Sequence, residues 1–283
     1  MRHAEGCVGA EATTLAAMAD IDGLRALLAE HERVVVAFSG GADSAFLAWM
    51  ARDCLGRGAV VAATAVSASL PEDELETCRA LARDWDLEWV GLQTTELDNA
   101  EYRSNDGDRC FHCKSALMDQ LEPLASAQGA VILLGVNVDD LGDHRPGQRA
   151  AADRGARFPL VEAGFSKADV RAFSRQFGLV TWNKPAAACL ASRVPYGTEV
   201  TVGLLGQVER AERALRRLGF DELRVRHYGD TARIEVPTQR LADVAEQADV
   251  VAKALHAVGY RYVTLDLDGL RSGNLNLALA GDS

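Results

Sequence analysis

The sequence predicts an α/β fold: a parallel sheet with helices on both faces, followed by a small C-terminal α+β domain. Three observations lead there. Short apolar runs alternate with amphipathic helical patterns from residue 20 to about residue 135, which is the order of βαβ units. The first run, VVVAF, is apolar at every position, as a strand buried on both faces must be. After Tyr196 the order changes to α-β-β-α-β.

The elements follow in turn. Asp20 to Glu30 has apolar residues at helical spacing, and Arg33 to Phe38 reads as the first strand. Ala45 to Leu55 is a helix, Gly58 to Val66 a strand, and Glu72 to Trp85 a helix whose first turn is crowded with acids, as the helix dipole favours. Glu88 to Leu92 is a third strand, Lys114 to Ser126 a helix, and Ala130 to Gly135 a fourth strand. Ser166 is an expected cap for a helix carrying Lys167. Leu204 to Leu218 is a charged amphipathic helix, Leu223 to His227 and Thr231 to Val236 are strands, Arg240 to Val258 is a helix and Tyr262 to Leu267 a last strand. The texture changes near Pro195 to Val202, so domains are expected over 20–195 and 200–278.

Bulk properties narrow the function. The chain has 283 residues, 48% of them hydrophobic, and a net charge of −11. That charge disfavours a protein held on nucleic acid or acidic lipid by bulk attraction. No apolar run approaches the roughly 18–20 residues of a membrane span. The N-terminus lacks a basic start followed by an apolar block, so it is read as a leader rather than a signal peptide. A cytoplasmic protein without a membrane partner is expected. Of the six cysteines, Cys54 and Cys78 sit in helical patterns as ordinary thiols, and a disulfide framework is not expected in a reducing compartment.

Ser39-Gly40-Gly41-Ala42-Asp43-Ser44 joins the first strand to the next helix. Two glycines permit close backbone approach. A helix N-terminus supplies unpaired N–H groups, and Ser39 and Ser44 add hydroxyls. That suits phosphate. The lysine of G-x-x-x-x-G-K-[ST] is absent. A Gly-Gly turn with Asp43 as a helix cap is the equal alternative on these residues. Gly135-Val136-Asn137-Val138-Asp139-Asp140 follows the fourth strand. Gly135 allows close approach, and Asn137, Asp139 and Asp140 suit phosphate orientation or Mg²⁺; a polar surface turn is the plainer reading.

Arg109-Cys110-Phe111-His112-Cys113-Lys114 places a C-x-x-C just before a helix. The spacing is compatible with zinc, a redox pair or part of an iron–sulfur site. Ala188-Cys189-Leu190-Ala191-Ser192-Arg193 supplies a third cysteine beside an arginine that favours thiolate. On spacing alone Cys189 reads as a small buried residue. Arg224 and Arg226 alternate along one strand and share a face; without further information that face is simply solvated.

S-G-G-x-D-S after an apolar strand resembles the PP-loop of the ATP pyrophosphatases. With G-x-N-x-D-D, R-C-x-x-C-K, C-L-A-S-R-x-P-Y-G, L-R-V-R-H-x-G and A-R-I-E in order, the chain from about Leu24 to Leu277 resembles the LarE family. These are sulfur transferases of nickel-pincer nucleotide synthesis. The resemblance implies that ATP, with Mg²⁺, adenylylates a carboxylate of pyridinium-3,5-biscarboxylic acid mononucleotide, and that sulfur then displaces AMP. It places ATP at Ser39, Gly40, Gly41, Asp43, Ser44, Gly135, Asn137, Asp139 and Asp140. Cys189, Ser192 and Arg193 would be catalytic, and Glu212, Arg224 and Arg226 would meet the substrate, with Asp243 a weaker candidate.

In one kind of member a single cysteine surrenders its sulfur and becomes dehydroalanine. In the other, three cysteines hold a [4Fe-4S] cluster with one iron open. Cys110, Cys113 and Cys189 together imply the cluster kind, fed by sulfide or another sulfur donor. The family also implies a homo-oligomer. A tRNA thiolase sharing the PP-loop, an amidotransferase-type synthetase and a plain ATP-binding module are the competing readings. The acidic chain argues against the first and the three cysteines against the other two. Asp143 to Gly147 is expected to form a polar loop over the nucleotide, and Trp182 to pack.

Overall fold

A computed structural model describes residues 19–142, 146–185 and 188–271. Helix α1 (Ile21–Ala29) starts at Asp20, whose side chain accepts from the Asp22 N–H. Strand β1 (Val34–Ala37) is followed by α2 (Ala42–Leu55), β2 (Val60–Val66), α3 (Glu72–Asp84) and β3 (Glu88–Gln93). A 3₁₀ turn, Glu96–Asp98, leads to the short α4 (Ala100–Ser104) and the long α5 (Arg109–Gln128). Strand β4 (Val131–Leu134) precedes a 3₁₀ turn, Val138–Gly142, and then α6 (Pro146–Asp153), α7 (Pro159–Glu162) and α8 (Lys167–Gln176). Ser166 caps α8 in a reciprocal box with Asp169.

The four strands form a parallel sheet in the order β3-β2-β1-β4. The sequence residues alternate between its faces, as period two demands. Val34 and Val36 join the core under α1, α2, α3 and α8, with Leu24, Leu28, Phe46, Met50, Leu81 and Val170. Val35 joins the opposite core with Met118, Leu121 and Ala125 of α5. Each buried leucine or phenylalanine contributes roughly 1.5–3 kcal/mol relative to exposure. The chain winds outward from β1 through β2 to β3, then returns to add β4 on the other side. The strand order therefore reverses between β1 and β4, whose ends are level: Ala37 pairs with Leu134. Open α/β sheets bind ligands at that point.

The C-terminal part follows a 3₁₀ turn at Leu190–Arg193. It holds α9 (Val202–Arg216), β5 (Arg224–Tyr228), β6 (Thr231–Glu235), a 3₁₀ turn at Thr238–Arg240, α10 (Leu241–Glu246), α11 (Ala248–Val258) and β7 (Tyr262–Leu265). Strands β5 and β6 are antiparallel, and β7 joins β6 in parallel. Ala211, Leu215, Val251 and Leu255 cover one face of this second sheet through Val225, Ala232 and Ile234.

Two boundaries differ from expectation. The helix expected over Arg240 to Val258 is broken at Gln247, at φ −100° and ψ 20°; no proline or glycine marks the break. The helix expected from Lys114 begins at Arg109 instead. Cys110 and Cys113 thus lie one turn apart on α5, three residues being neighbours on a helix face. Among the described residues no helix is long and apolar enough to cross a membrane. Residues 143–145 of the expected nucleotide cover, and the leader before residue 19, lie outside the described residues.

Candidate functional site

The Ser39 loop forms the turn between β1 and α2. Gly41, not Asp43, is the N-cap of α2, so Asp43 does not serve as the helix cap. Gly40 takes φ +67°, the left-handed region that glycine alone enters without strain. The Ser39 N–H donates to Ser44 Oγ at 3.2 Å, and the two hydroxyls lie 3.1 Å apart. Both serines therefore line the loop at the head of α2, where first-turn N–H groups lack intrahelical partners.

The Gly135 loop is pressed against this turn. A Cβ on Gly135 would lie 2.7 Å from the Ser44 nitrogen and 2.8 Å from its Cα. Only glycine fits between two stretches of backbone there. Asn137 is buried; its Oδ1 accepts from the Asp139 N–H at 3.0 Å. Its Nδ2, close enough to Asp43 to favour the charged carboxylate, makes no hydrogen bond of acceptable geometry. Asp43 Oδ1 is likewise buried without a partner. Burial pushes the Asp43 carboxyl above its ordinary range, opposed by Lys167, Asn137 and Arg171. A buried donor and a buried acceptor left open side by side are groups that a ligand or ion would satisfy. Asp139 is partly committed, since its Oδ2 accepts from the Lys167 N–H at 2.8 Å. Asp140 Oδ2 accepts from the Asn137 N–H at 3.3 Å.

The cysteine region is assembled by polar clamps from distant segments. Buried Arg109 donates to Asn105 Oδ1 and, at 2.9 Å, to the Ala191 carbonyl. Asn105, at φ +60°, donates from its amide to the carbonyls of Val194, Pro195 and Thr198 at 3.3, 2.7 and 3.1 Å. The Leu190 N–H reaches the Ser69 carbonyl at 2.8 Å, and Ser69 Oγ lies 2.7 Å from Tyr102 Oη. The 3₁₀ turn after Cys189 is thereby fastened to the first turn of α5.

All three cysteines are free thiols; Cys110 is exposed, and Cys113 and Cys189 are half-buried. Burial, with the neighbouring charges of Cys189 and Glu96, pushes the Cys113 thiol up to about 12. Lys114 is half-buried, and desolvation pulls its ammonium down against the opposing pull of Cys113 and Cys110. Among the described residues no three His, Cys, Asp or Glu side chains are placed to hold a single metal ion. Three thiolates on three irons of one cluster stand further apart than three ligands of one ion, so this donor set is compatible with a cluster. His112 turns away to Asp108, 3.3 Å from Nε2, and to Glu101, 3.6 Å from Nδ1.

Arg193 and Glu212 meet as a buried bidentate pair, at 2.8 and 3.2 Å. Arg193 Nη1 also donates to the carbonyls of Ala188 and Cys189, at 2.6 and 3.2 Å, and to Ser192 Oγ at 3.1 Å. It shapes the backbone around Cys189. Glu212 further accepts from Arg216 and from the Val225 N–H, both at 3.1 Å. Arg226 Nη1 donates to the Ser192 carbonyl at 2.6 Å, and Nη2 to Glu235 at 2.8 Å. Arg224 lies beside them, and burial with the positive charges of Arg193 and Arg226 lowers its pKa. The structure thus joins Ser192, Arg193, Glu212, Arg224 and Arg226 into one arginine-rich cluster next to Cys189. Asp243 stays apart, paired with Arg240 at 2.5 Å on a partly exposed face. Trp182 is 38% exposed, its remaining surface covered, with the Arg175 guanidinium over its ring.

Sequence reasoning missed Asn105, Arg109, Glu96 and Lys184. Each works through partners far along the chain, so no local spacing announces it. Lys184 Nζ donates to the Gly40 carbonyl at 3.0 Å and to Glu74 Oε2 at 2.6 Å.

The model of the NAD synthase family matches residues 21–109, the stretch that holds the Ser39 loop. Fold and match define the class: an α/β protein of the PP-loop type. Across nearly the whole chain it is 45% identical to an uncharacterised protein of Synechocystis, covering 92% of this chain and 97% of that one. It is 41% identical to the pyridinium-3,5-bisthiocarboxylic acid mononucleotide synthase of Lactiplantibacillus plantarum, over 89% of this chain and 92% of that one. A third relative, an uncharacterised protein of Methanocaldococcus jannaschii, is 24% identical over 86% of this chain and 92% of that one. The chain belongs to the LarE family, and it is an enzyme.

Proposed function

We propose that this enzyme uses ATP to adenylylate a carboxylate of pyridinium-3,5-biscarboxylic acid mononucleotide and then replaces AMP with sulfur, giving a thiocarboxylate. The observation that carries this reading is the pairing of two sites on one chain. One is an anion-ready loop at the strand reversal; the other is three free cysteines beside an arginine cluster. A substrate carboxylate oxygen attacks the α-phosphorus of ATP, and pyrophosphate leaves. Sulfur then attacks the acyl carbon, and the carbon–oxygen bond to AMP breaks.

Ser39, Gly40, Gly41 and Ser44 receive the departing pyrophosphate, through main-chain N–H groups and hydroxyls. Gly135 lets the second loop close on the first, and Asn137 offers its open amide donor to the nucleotide. Asp43 and Asp140, with Asp139 behind them, are the oxygen donors suited to the Mg²⁺ that accompanies ATP. Arg224 takes the substrate phosphate or second carboxylate, for which a planar guanidinium is matched, and Arg226, held between Ser192 and Glu235, braces it from within the cluster. Glu212 and Arg193 hold that cluster and the Cys189 backbone in place. Cys110, Cys113 and Cys189 would hold a [4Fe-4S] cluster, which would supply the sulfur for the transfer. Arg109 keeps positive charge against these thiolates, and Lys114 lies within reach of Cys113 and Cys110.

We read the chain as domains 20–195 and 200–278, working in the cytoplasm as a homo-oligomer with sulfide or another sulfur donor. The test is an anaerobic assay of iron-reconstituted protein with ATP, sulfide and the dicarboxylated mononucleotide, and bulk tRNA in parallel. Mass spectrometry follows AMP, the thiocarboxylate and the mass of Cys189. Thiolated mononucleotide with Cys189 unchanged supports the whole reading. Conversion of Cys189 to dehydroalanine keeps the reaction and removes the cluster. Thiolated tRNA alone overturns the substrate.

A further inference from the structure

The Ser39 loop has no lysine of its own, although a phosphate loop is served by one positive charge close to the anion. The fold brings one in from elsewhere. Lys184 lies 144 residues further along the chain than Gly40, yet its Nζ hydrogen-bonds the Gly40 carbonyl at 3.0 Å. A Cβ built on Gly40 would stand 3.7 Å from the same nitrogen. The only acid on Lys184 among the described residues is Glu74, at 2.6 Å, and both side chains retain some solvent contact, 18% and 22%.

We propose that Lys184 is the pyrophosphate-binding cation of this loop, and that Glu74 holds it ready and competes with the ligand for it. The proposal rests on the ATP reading of the loop. Glu74 is suited to this part because it stands in the first turn of α3. The α3 dipole stabilises its carboxylate whether or not the lysine is present. Loss of Lys184 to an incoming anion therefore leaves no stranded charge. An ammonium is a compact point charge on a flexible stem. With Nζ already against the loop backbone, rotation about the last side-chain bonds is enough to exchange Glu74 for a phosphate oxygen. Lys184 also lies five residues before Cys189, so the cation that meets pyrophosphate and the cysteine turn share one segment.

The experiment is titration calorimetry of full-length protein with Mg²⁺ and, separately, ATP, inorganic pyrophosphate and AMP. Lys184→Met should weaken ATP and pyrophosphate about tenfold or more, the value of a charge-assisted hydrogen bond. AMP should stay within about twofold. Glu74→Gln should tighten pyrophosphate about threefold, because a competitor has been neutralised. A purely structural ion pair makes the opposite forecast: both variants weaken every ligand together. Pyrophosphate binding unchanged in Lys184→Met, or weakened in Glu74→Gln, overturns the proposal while leaving the loop reading intact if wild-type protein binds ATP. If wild-type protein binds neither ATP nor pyrophosphate, the loop reading falls and this one with it. Should Lys184→Met not fold, the sign of the Glu74→Gln effect decides alone.

Discussion

Replacing Gly135 with alanine tests the contact on which the proposed nucleotide site depends. The added Cβ would stand 2.7 Å from the Ser44 nitrogen, 2.8 Å from its Cα and 2.9 Å from the Asp43 carbonyl carbon. The first of these is roughly 0.8 Å inside the shortest favourable separation of about 3.5 Å. All three are backbone atoms in the first turn of α2, so no side chain can swing aside. The loop or the helix must move. Overpacking of this kind costs about 1–3 kcal/mol. For a unit of this size, about 2 kcal/mol corresponds to a Tm lower by roughly 4–8 °C. The movement also opens the Ser39 loop, so ATP affinity should fall about tenfold or more, as a lost charge-assisted contact would require. Gly164→Ala is the control. Gly164 sits at φ +71° with open space around its Cβ direction, so alanine there carries backbone strain but touches nothing. Thermal unfolding and ATP calorimetry on both variants give the answer. A Gly135→Ala protein with wild-type Tm and wild-type ATP affinity would refute the packing of the two loops. Equal losses of ATP affinity in both variants would show that stability alone is being read.

Three further outcomes are expected. Glu212→Ala strands the buried Arg193 guanidinium and the Val225 N–H and unpairs the half-exposed Arg216, costing about 3–5 kcal/mol; a small, additive change in urea unfolding would contradict that network. In chelator-treated protein at pH 8, Cys113, with its thiol at about 12, is ionised in roughly one molecule in ten thousand. Mass-mapped alkylation should therefore mark exposed Cys110 first and Cys113 only as pH rises well above 8; early labelling of Cys113 would contradict its burial. Arg224→Ala should raise the KM for the mononucleotide about tenfold or more with ATP binding unaltered, and parallel loss of both would misplace the substrate site.

The sheet was legible because its signals are local. VVVAF, AVILLG and the Gly-Gly turn between strand and helix each speak for themselves, and the strand ends follow from them. The C-terminal sheet was legible for the same reason, through alternation in Arg224–His227 and Thr231–Val236. The broken helix at Gln247 was not, since the apolar spacing continues across it without proline or glycine. The start of α5 was read five residues late, because Asp106-Gly107-Asp108 and the two cysteines look like loop. Most of the site was illegible for a different reason. That Cys189 would come to α5 depends on Asn105 and Arg109 reaching across more than eighty residues. Lys184 and Glu74 meet over a similar span. Pairings of that length leave no periodicity. The resemblance to a family, not residue spacing, placed the arginines.

The fastening of the cysteine turn has one more consequence. Tyr102, Leu190 and Val194 share a single apolar cluster with Val200, Leu205 and Val208 of the C-terminal part, and Arg226 grips the Ser192 carbonyl from strand β5. A chain cut after residue 195 would bare that cluster and release the grip. The C-terminal sheet is therefore not a detachable module. Gene fusions, circular permutations or split versions of this enzyme should place their breaks elsewhere, because the surroundings of Cys189 are built by both halves at once.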